Sequence, residues 1–254
     1  LAAVQEVNRI DLATAISSYV DAAIPDRKAT ESLDSQASWA YTPLCGVGGD
    51  TMERACSRAG ITAPTRVESQ FEPNGLFPGL PFPNPEEPGA MNEAYSVADE
   101  AGIDLVVAND PDADRLAVAM KTVDGWRQLS GDEVGLLLCD HQLSNTTGDN
   151  RLTASSVVSS QAVAALCARR GVEHIRTLTG FKWIMEPAVK KPEARWIFGY
   201  EEALGYSVND HVLDKDGIAA AVTFMEMVAS LRSKGLDPLT RLDELAFEIG
   251  LYVT

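Results

Sequence analysis

The chain has 254 residues, 45% of them apolar and 23% charged, enough for one large domain or two of ordinary size with a sizeable core. A formal net charge of −16 repels phosphate backbones and argues against a nucleic-acid partner. No run of about 18 apolar residues occurs, so no membrane-spanning helix is expected.

Residues 1–24 carry helix-like apolar spacing up to Pro25. With no initiator Met and no basic leader, they read as a helix entered partway along a longer polypeptide. Ser38 to Leu44 is a predicted short strand, and Gly48-Gly49 leads into a helix ending near Gly60. Pro73 to Pro88 is loop, because its Pro and Gly residues exclude regular structure. Helical spacing returns over 90–101. The continuous apolar run 103–108 suits a buried strand, 116–120 is a second, and Asp124-Gly125 marks a hairpin turn.

A new cycle starts with a predicted helix over 132–143 and a polar loop, SNTTGDN. Strands are predicted at 155–159, 174–178 and 195–200, with helices at 161–171 and 182–190 between them. Residues 216–234 read as a long helix, and Pro238 opens a last one. This alternation predicts an α/β protein of two three-layer α/β/α domains with mainly parallel mixed sheets, residues 1–128 and 129–254. No internal repeat is legible. Cys45, Cys56, Cys139 and Cys167 are widely spaced and form no CxxC pair, which predicts reduced, buried thiols in a cytoplasmic protein. His141, His174 and His211 fit no metal or nucleophile constellation and are expected to be structural.

The chemistry concentrates in IDLVVANDPDADRLAVA, residues 103–119. A buried strand delivers Asp110, Asp112 and Asp114 to a loop at its C-terminal end, where α/β sheets usually bind ligands. Period-2 spacing lets all three carboxylates face one way, and like charges that close call for a cation among them. Mg²⁺ suits such a set, being a hard ion that takes a few carboxylates and keeps positions open for phosphate oxygen. A solvated acidic turn is the bland alternative. An EF-hand would want Gly at Arg115 and Glu at Lys121. A phosphatase with an Asp nucleophile shares the strand-then-DxD pattern but not Ala113.

NDPDADR resembles the metal loop of the α-D-phosphohexomutase superfamily, which includes phosphoglucomutases and phosphomannomutases. TPLCGVGG (42–49), FPNPEEPGAM (82–91), TLTGFKWI (177–184), GYEEALGY (199–206) and DKDGIAAAV (214–222) agree in order. Together they are similar to the branch containing phosphopentomutases and the related bacterial phosphoglucomutase/phosphomannomutase enzymes, over nearly the whole chain. The resemblance implies a four-domain enzyme of which this chain is the second and third domains. It implies that Asp110, Asp112 and Asp114 hold Mg²⁺, completed by a phosphoserine oxygen from the first domain. Arg115 and Lys215 become candidate catalytic residues, the first towards the phosphate or sugar, the second as a proton-transfer partner. Thr179, Gly180, Lys182, Gly199, Glu201, Glu202 and Asp216 become candidate substrate-binding residues, with Glu201 and Glu202 accepting from adjacent sugar hydroxyls. Gly199 and Gly205 would let the backbone turn and approach the ring. Phe181, Trp183 and Ile184 are expected to pack in the core. Relatives often carry His where Cys45 stands, so no role is assigned to Cys45.

The family's phosphate carrier, a serine in T-A-S-H-N-P, has only Thr153-Ala154-Ser155-Ser156 as a lookalike, after the metal loop and without His-Asn-Pro. The basic phosphate loop of the fourth domain is also absent, in keeping with the acidic charge. The expected partners are therefore a phosphosugar and domains 1 and 4 of the same polypeptide. The expected reaction is phosphoryl transfer between the 1-position and terminal hydroxyl of a sugar through a bisphosphate, and these residues alone are expected to be inactive.

Overall fold

The computed structural model describes residues 10–24 and 37–252. Helix α1 (Leu12–Ala23) starts where the Asp11 carboxylate accepts the Thr14 amide at 3.0 Å. The earlier part of the helix expected over 1–24 lies outside the described residues. Strand β1 (Ala40–Thr42) feeds helix α2 (Gly48–Ala59), which Gly60 ends in a left-handed conformation. Strand β2 (Thr65–Arg66) and the one-turn helix α3 (Glu68–Phe71) have too few residues to leave a periodic signal and were not expected. A loop follows to helix α4 (Asn92–Ala101), capped by Gly102, and then come β3 (Leu105–Ala108), β4 (Ala117–Thr122) and β5 (Gly125–Gln128). Thr122 pairs with Gly125, so Val123 and Asp124 form the hairpin turn, one residue earlier than the Asp-Gly signal suggests.

Helix α5 (Gly131–Asn145) opens on a capping box in which Ser130 and Glu133 each bond the other's backbone amide. The chain continues through β6 (Arg151–Ser156), α6 (Ala162–Arg169), β7 (Glu173–Thr177), α7 (Phe181–Lys190), β8 (Arg195–Glu201) and β9 (Gly205–Ser207). It ends with α8 (Gly217–Arg232) and α9 (Pro238–Ile249). The strand expected at 155–159 is displaced towards the N-terminus. β6 begins at Arg151, and Val157 and Val158 lie beyond its end, exposed.

Two mixed sheets result, ordered β2-β1-β3-β4-β5 and β7-β6-β8-β9. In the first, β1 runs parallel to β2 and β3, and β3-β4-β5 form an antiparallel meander. In the second, β6 runs parallel to β7 and β8, and β9 folds back on β8. The order β2-β1-β3-β4 is thus repeated as β7-β6-β8-β9, a repeat of topology that the residues do not advertise. In each sheet the third strand in chain order, β3 or β8, turns into its antiparallel partner through a short corner. The corner after β3 is Asn109–Leu116 and the one after β8 is 202–204.

One hydrophobic cluster runs from Val20 on α1 through β3 and β4 to α5, α8 and Leu245 on α9, so both sheets share a continuous core. A smaller cluster around Leu152, Phe181, Ile184 and Trp196 fills the other face of the second sheet. Close approach is tightest at Gly131, where an added Cβ would lie 1.8 Å from the Glu202 carbonyl oxygen. Gly131→Ala should force the 202–204 corner away from α5 and cost about 1–3 kcal/mol, as overpacking does. Gly75→Ala, with nothing within 4 Å of the new methyl, should be neutral or slightly stabilising. Thermal unfolding of the two variants checks the contrast, and equal shifts would refute it.

Candidate functional site

The acidic loop hangs from the C-terminal end of β3, at the point where β1 and β3 lie side by side and their connections diverge. Its shape is fixed from within. The Asp110 carbonyl accepts the Ala113 amide at 2.9 Å and the Asp110 carboxylate accepts the Arg115 amide at 3.0 Å. Asn109 donates to the Arg115 carbonyl and accepts from the Tyr41 hydroxyl at 2.7 Å. Ala113 takes the left-handed conformation at φ 60°, which costs a non-glycine residue about 1 kcal/mol and is held only by its surroundings.

Those surroundings are glycines. An added Cβ on Gly46 would lie 2.3 Å from Pro111, and one on Gly217 would lie 2.3 Å from the Arg115 carbonyl oxygen. The GVGG and DKDG segments therefore cradle the loop because they lack side chains. The result places carboxylate oxygens of Asp110, Asp112 and Asp114 within 4.8 Å of one another.

Two cations face them. Lys215, just before α8, puts its ammonium 3.1 Å from Asp114, and the Arg115 Nε lies 3.6 Å from Asp110 and 3.9 Å from Asp114. Burial alone would lower the Lys215 ammonium, but Asp114, Asp214 and Glu201 outweigh it and hold its pKa above the ordinary value. Lys215 is thus a charged donor here. Burial also raises the Glu201 carboxyl, against the pull of Lys215 and Arg115. Gly205 makes that approach possible: an added Cβ would lie 2.5 Å from Lys215 Cδ and 3.0 Å from Glu201 Cγ.

The acidic loop and the β8-β9 corner are joined directly. The Leu116 amide donates to the Leu204 carbonyl at 3.0 Å, and Arg115 forms an antiparallel bridge with Gly205. The 179–182 segment reaches the same region through Phe181, whose ring centre lies 5.6 Å from the Lys215 nitrogen. Thr179 and Lys182 are exposed there. Gly180, at φ 111°, caps α7 without a side-chain bond, and its carbonyl takes the Trp183 amide at 2.9 Å, leaving the Phe181 and Lys182 amides at the open end of the helix.

Other candidates sit differently from expectation. Gly199 lies in mid-β8, where an added Cβ would meet Trp196 at 2.5 Å and Ile184 at 2.9 Å, so its smallness serves sheet packing rather than a turn. Asp216 is buried. One of its oxygens accepts the Ala219 amide at the start of α8 and the Tyr19 hydroxyl at 2.7 Å, while the other is buried without a hydrogen-bond partner. Glu202 faces Ser156 and Ser159, not the acidic loop. Trp183 is part-exposed on α7, while Phe181 and Ile184 are buried as expected. His174 bonds the hydroxyls of Thr153 and Ser155 on the neighbouring strand. Ser155 and Ser156 themselves are buried in β6. Sequence reasoning missed Ser159, Tyr19, Tyr41 and Gly217. Only the glycine carried a local signal, since the others act across long stretches of chain.

Among the described residues, no helix is long and apolar enough to cross a membrane. Residues 17–125 match the family model for phosphoglucomutase/phosphomannomutase alpha/beta/alpha domain II, and residues 130–245 match domain III. A probable phosphomannomutase of Haemophilus influenzae is 40% identical over 85% of this chain and 44% of its own length. The mouse phosphopentomutase is 35% identical over 89% of this chain and 38% of its own length. The chain therefore spans less than half of either relative. The fold is similar to that of a putative phosphomannomutase from Thermus thermophilus, with a TM-score of 0.76 over 95% of this chain and 52% of that one, at 24% identity.

Burial, with Asp114 and Asp112 adding to it, raises the Asp110 carboxyl from 3.8 to about 6 despite the Arg115 amide. Between those values the folded chain holds a proton that the unfolded chain has released. Stability from this group is therefore present at low pH and lost as pH rises towards about 6. Asp110→Asn keeps the acceptor for the Arg115 amide and removes the buried charge. In chelator at neutral pH it should raise the unfolding free energy by on the order of 1 kcal/mol, discounted for partial exposure. The gain should vanish at pH ~3, below the unfolded value of 3.8, where Asp110 is protonated in the folded and the unfolded chain. Denaturant titrations at the two pH values measure it, and a destabilised variant at neutral pH would refute the assignment.

Proposed function

The chain belongs to the phosphoglucomutase/phosphomannomutase family, and on that premise we propose that it supplies the metal-holding and sugar-recognising parts of a phosphosugar mutase. The enzyme would move a phosphoryl group between the 1-position and the terminal hydroxyl of an aldose, with glucose, mannose or pentose phosphates as substrates. The observation that carries this reading is the meeting of three clustered carboxylates from one sheet with Lys215 and Glu201 from the other.

The donor set fits a magnesium ion: three hard carboxylate oxygens on one short loop, with room left for oxygen ligands from elsewhere. Asp110, Asp112 and Asp114 would hold it, and the ion would supply positive charge against the oxygens of the phosphoryl group in transfer. Lys215, held as an ammonium by Asp114, would donate a hydrogen bond or proton to a substrate oxygen. Arg115 would keep Asp110 and Asp114 in place and extend its guanidinium towards the phosphate. Glu201 would accept from a sugar hydroxyl, which an ionised carboxylate does without needing a proton of its own. Thr179, Gly180 and Lys182 would meet the anionic end of the substrate, since the first turn of α7 offers backbone amides and positive partial charge.

The burial of Ser155 and Ser156 in β6 supports placing the phosphoryl carrier in polypeptide beyond this chain. The phosphate clamp is assigned there too, since the charge of −16 leaves few cations to spare. The isolated chain should accordingly convert neither glucose 1-phosphate nor ribose 1-phosphate. In the polypeptide that joins it to those segments, turnover should need Mg²⁺, and Lys215→Met should lower kcat/KM by about a hundredfold or more. A coupled assay for the 6- or 5-phosphate reads this. Turnover by the isolated chain, or a phosphoryl group covalently on Asp110, would overturn the proposal.

A further inference from the structure

Glu201 and Glu202 are neighbours in sequence with opposite surroundings. Glu201 shares Gly205 with Lys215 on the acidic-loop side. The Glu202 carboxylate lies on the second sheet, where its Oε2 accepts from Ser156 Oγ at 3.0 Å and Ser159 Oγ at 2.8 Å. Both hydroxyls are buried. The two hydroxyls also lie 2.8 Å from each other, so their two protons are shared among the carboxylate oxygen and the two serine oxygens. Each serine oxygen also accepts a backbone amide: Ser156 takes that of Ser159 at 3.1 Å, and Ser159 takes that of Glu202 at 3.2 Å. These contacts thus close on a segment that leaves β6 and on the first residue of the β8-β9 corner.

The corner is held besides by the burial of Leu204 in the core and by close packing of the Glu202 carbonyl on Gly131. Leu204 sits at φ 64°, a conformation that costs a non-glycine residue about 1 kcal/mol. Its carbonyl is the acceptor for Leu116 on the acidic loop. A corner free to relax would release both Leu204 and the side chain of Glu201.

We propose that Ser156 and Ser159 are positioning residues that clamp the Glu202 carboxylate and so fix the 202–204 corner, leaving Glu201 as the carboxylate of the pair that is presented to a sugar hydroxyl. The ligand half of this statement rests on the proposed function, and the clamp itself does not. Glu202 is thereby moved from substrate contact to anchor.

Two measurements on the 254-residue chain separate these halves. The first is amide hydrogen exchange. Ser156→Ala with Ser159→Ala should speed exchange at Glu202 and Leu116 by about tenfold or more, a local opening beyond any change in core strands. Glu202→Gln alone keeps an acceptor oxygen for both hydroxyls and should hold protection within about threefold of the parent. The single Ser156→Ala variant serves if the double one does not fold. Unchanged exchange at Glu202 and Leu116 overturns the clamp.

The second is titration with ribose 5-phosphate and with glucose 6-phosphate, followed by amide chemical shifts. The serine variants should weaken binding about tenfold through Glu201, Glu202→Gln should change it less than about threefold, and Glu201→Gln should abolish it. Equal losses in Glu202→Gln and Glu201→Gln would make Glu202 a direct ligand and overturn the proposal. If neither sugar phosphate shifts the parent chain, the functional reading loses its support here, and hydrogen exchange alone decides the clamp.

Discussion

Three carboxylates within 4.8 Å of one another are the constraint around which this chain is arranged. At an effective dielectric of about 20, each such pair of charges repels by roughly 3–4 kcal/mol. A strand end alone cannot tolerate that, so the loop must be held by rigid backbone on one side and by cations on the other. The backbone part is local in Asn109 and the Asp110 carboxylate, while Gly46 and Gly217 are brought from elsewhere to close the cradle around Ala113. The cationic part is divided in the same way. Arg115 belongs to the loop, but Lys215 comes from beyond the second sheet. The repulsion in one half is thus relieved by the other, and the continuous core keeps the halves in register.

The repeated strand order explains why two halves can meet this way. In each sheet the third strand in chain order ends at a corner before folding back. The corner after β3 carries the aspartates, and the corner after β8 carries Glu202, next to Glu201 at the strand's end. Joined through Leu116–Leu204 and Arg115–Gly205, these equivalent corners become neighbours. Acidic residues therefore converge from two directions, and the cations that offset them must fit between. Gly205 and Gly217 create that space. The first lets Lys215 pass beside Glu201, and the second lets the start of α8 lie against the acidic loop.

Much of this was legible in the sequence because its causes are local. The apolar run before Asn109 announced β3, Gly and Pro bounded most helices, and the DPDAD spacing located the carboxylate cluster. What was illegible depends on pairing between distant segments. Strands of two or three residues, such as β2 and β9, are stabilised by their neighbours and leave no period to read. Gly199 and Gly205 look alike in GYEEALGY, yet one packs under Trp196 and the other beside Lys215. Only the direction in which each backbone position faces tells them apart. Glu201 and Glu202 pose the same problem, since a strand end sends adjacent side chains to opposite sides. Asp216 read as a ligand beside Lys215, but as the N-cap of α8 its carboxylate is buried against Tyr19.

Charge at the site then bears on the order of events under the proposed function. Asp110, Asp112, Asp114 and Glu201 carry four negative charges at neutral pH, against one each on Arg115 and Lys215. A site with that imbalance repels a phosphosugar, whose phosphate is itself an anion. A dication would bring these side chains to balance and no further, leaving nothing over for a second anionic group. Attraction for a bisphosphate must then come from cations outside this set. The exposed Lys182 beside the open amides of α7 offers one such charge, at the edge of the site rather than its centre. Under the proposed function, Asp110, Asp112 and Asp114 would therefore need a bound cation before an anion could approach the loop. On that reading the β8-β9 corner would serve to orient the sugar rather than to capture its phosphate.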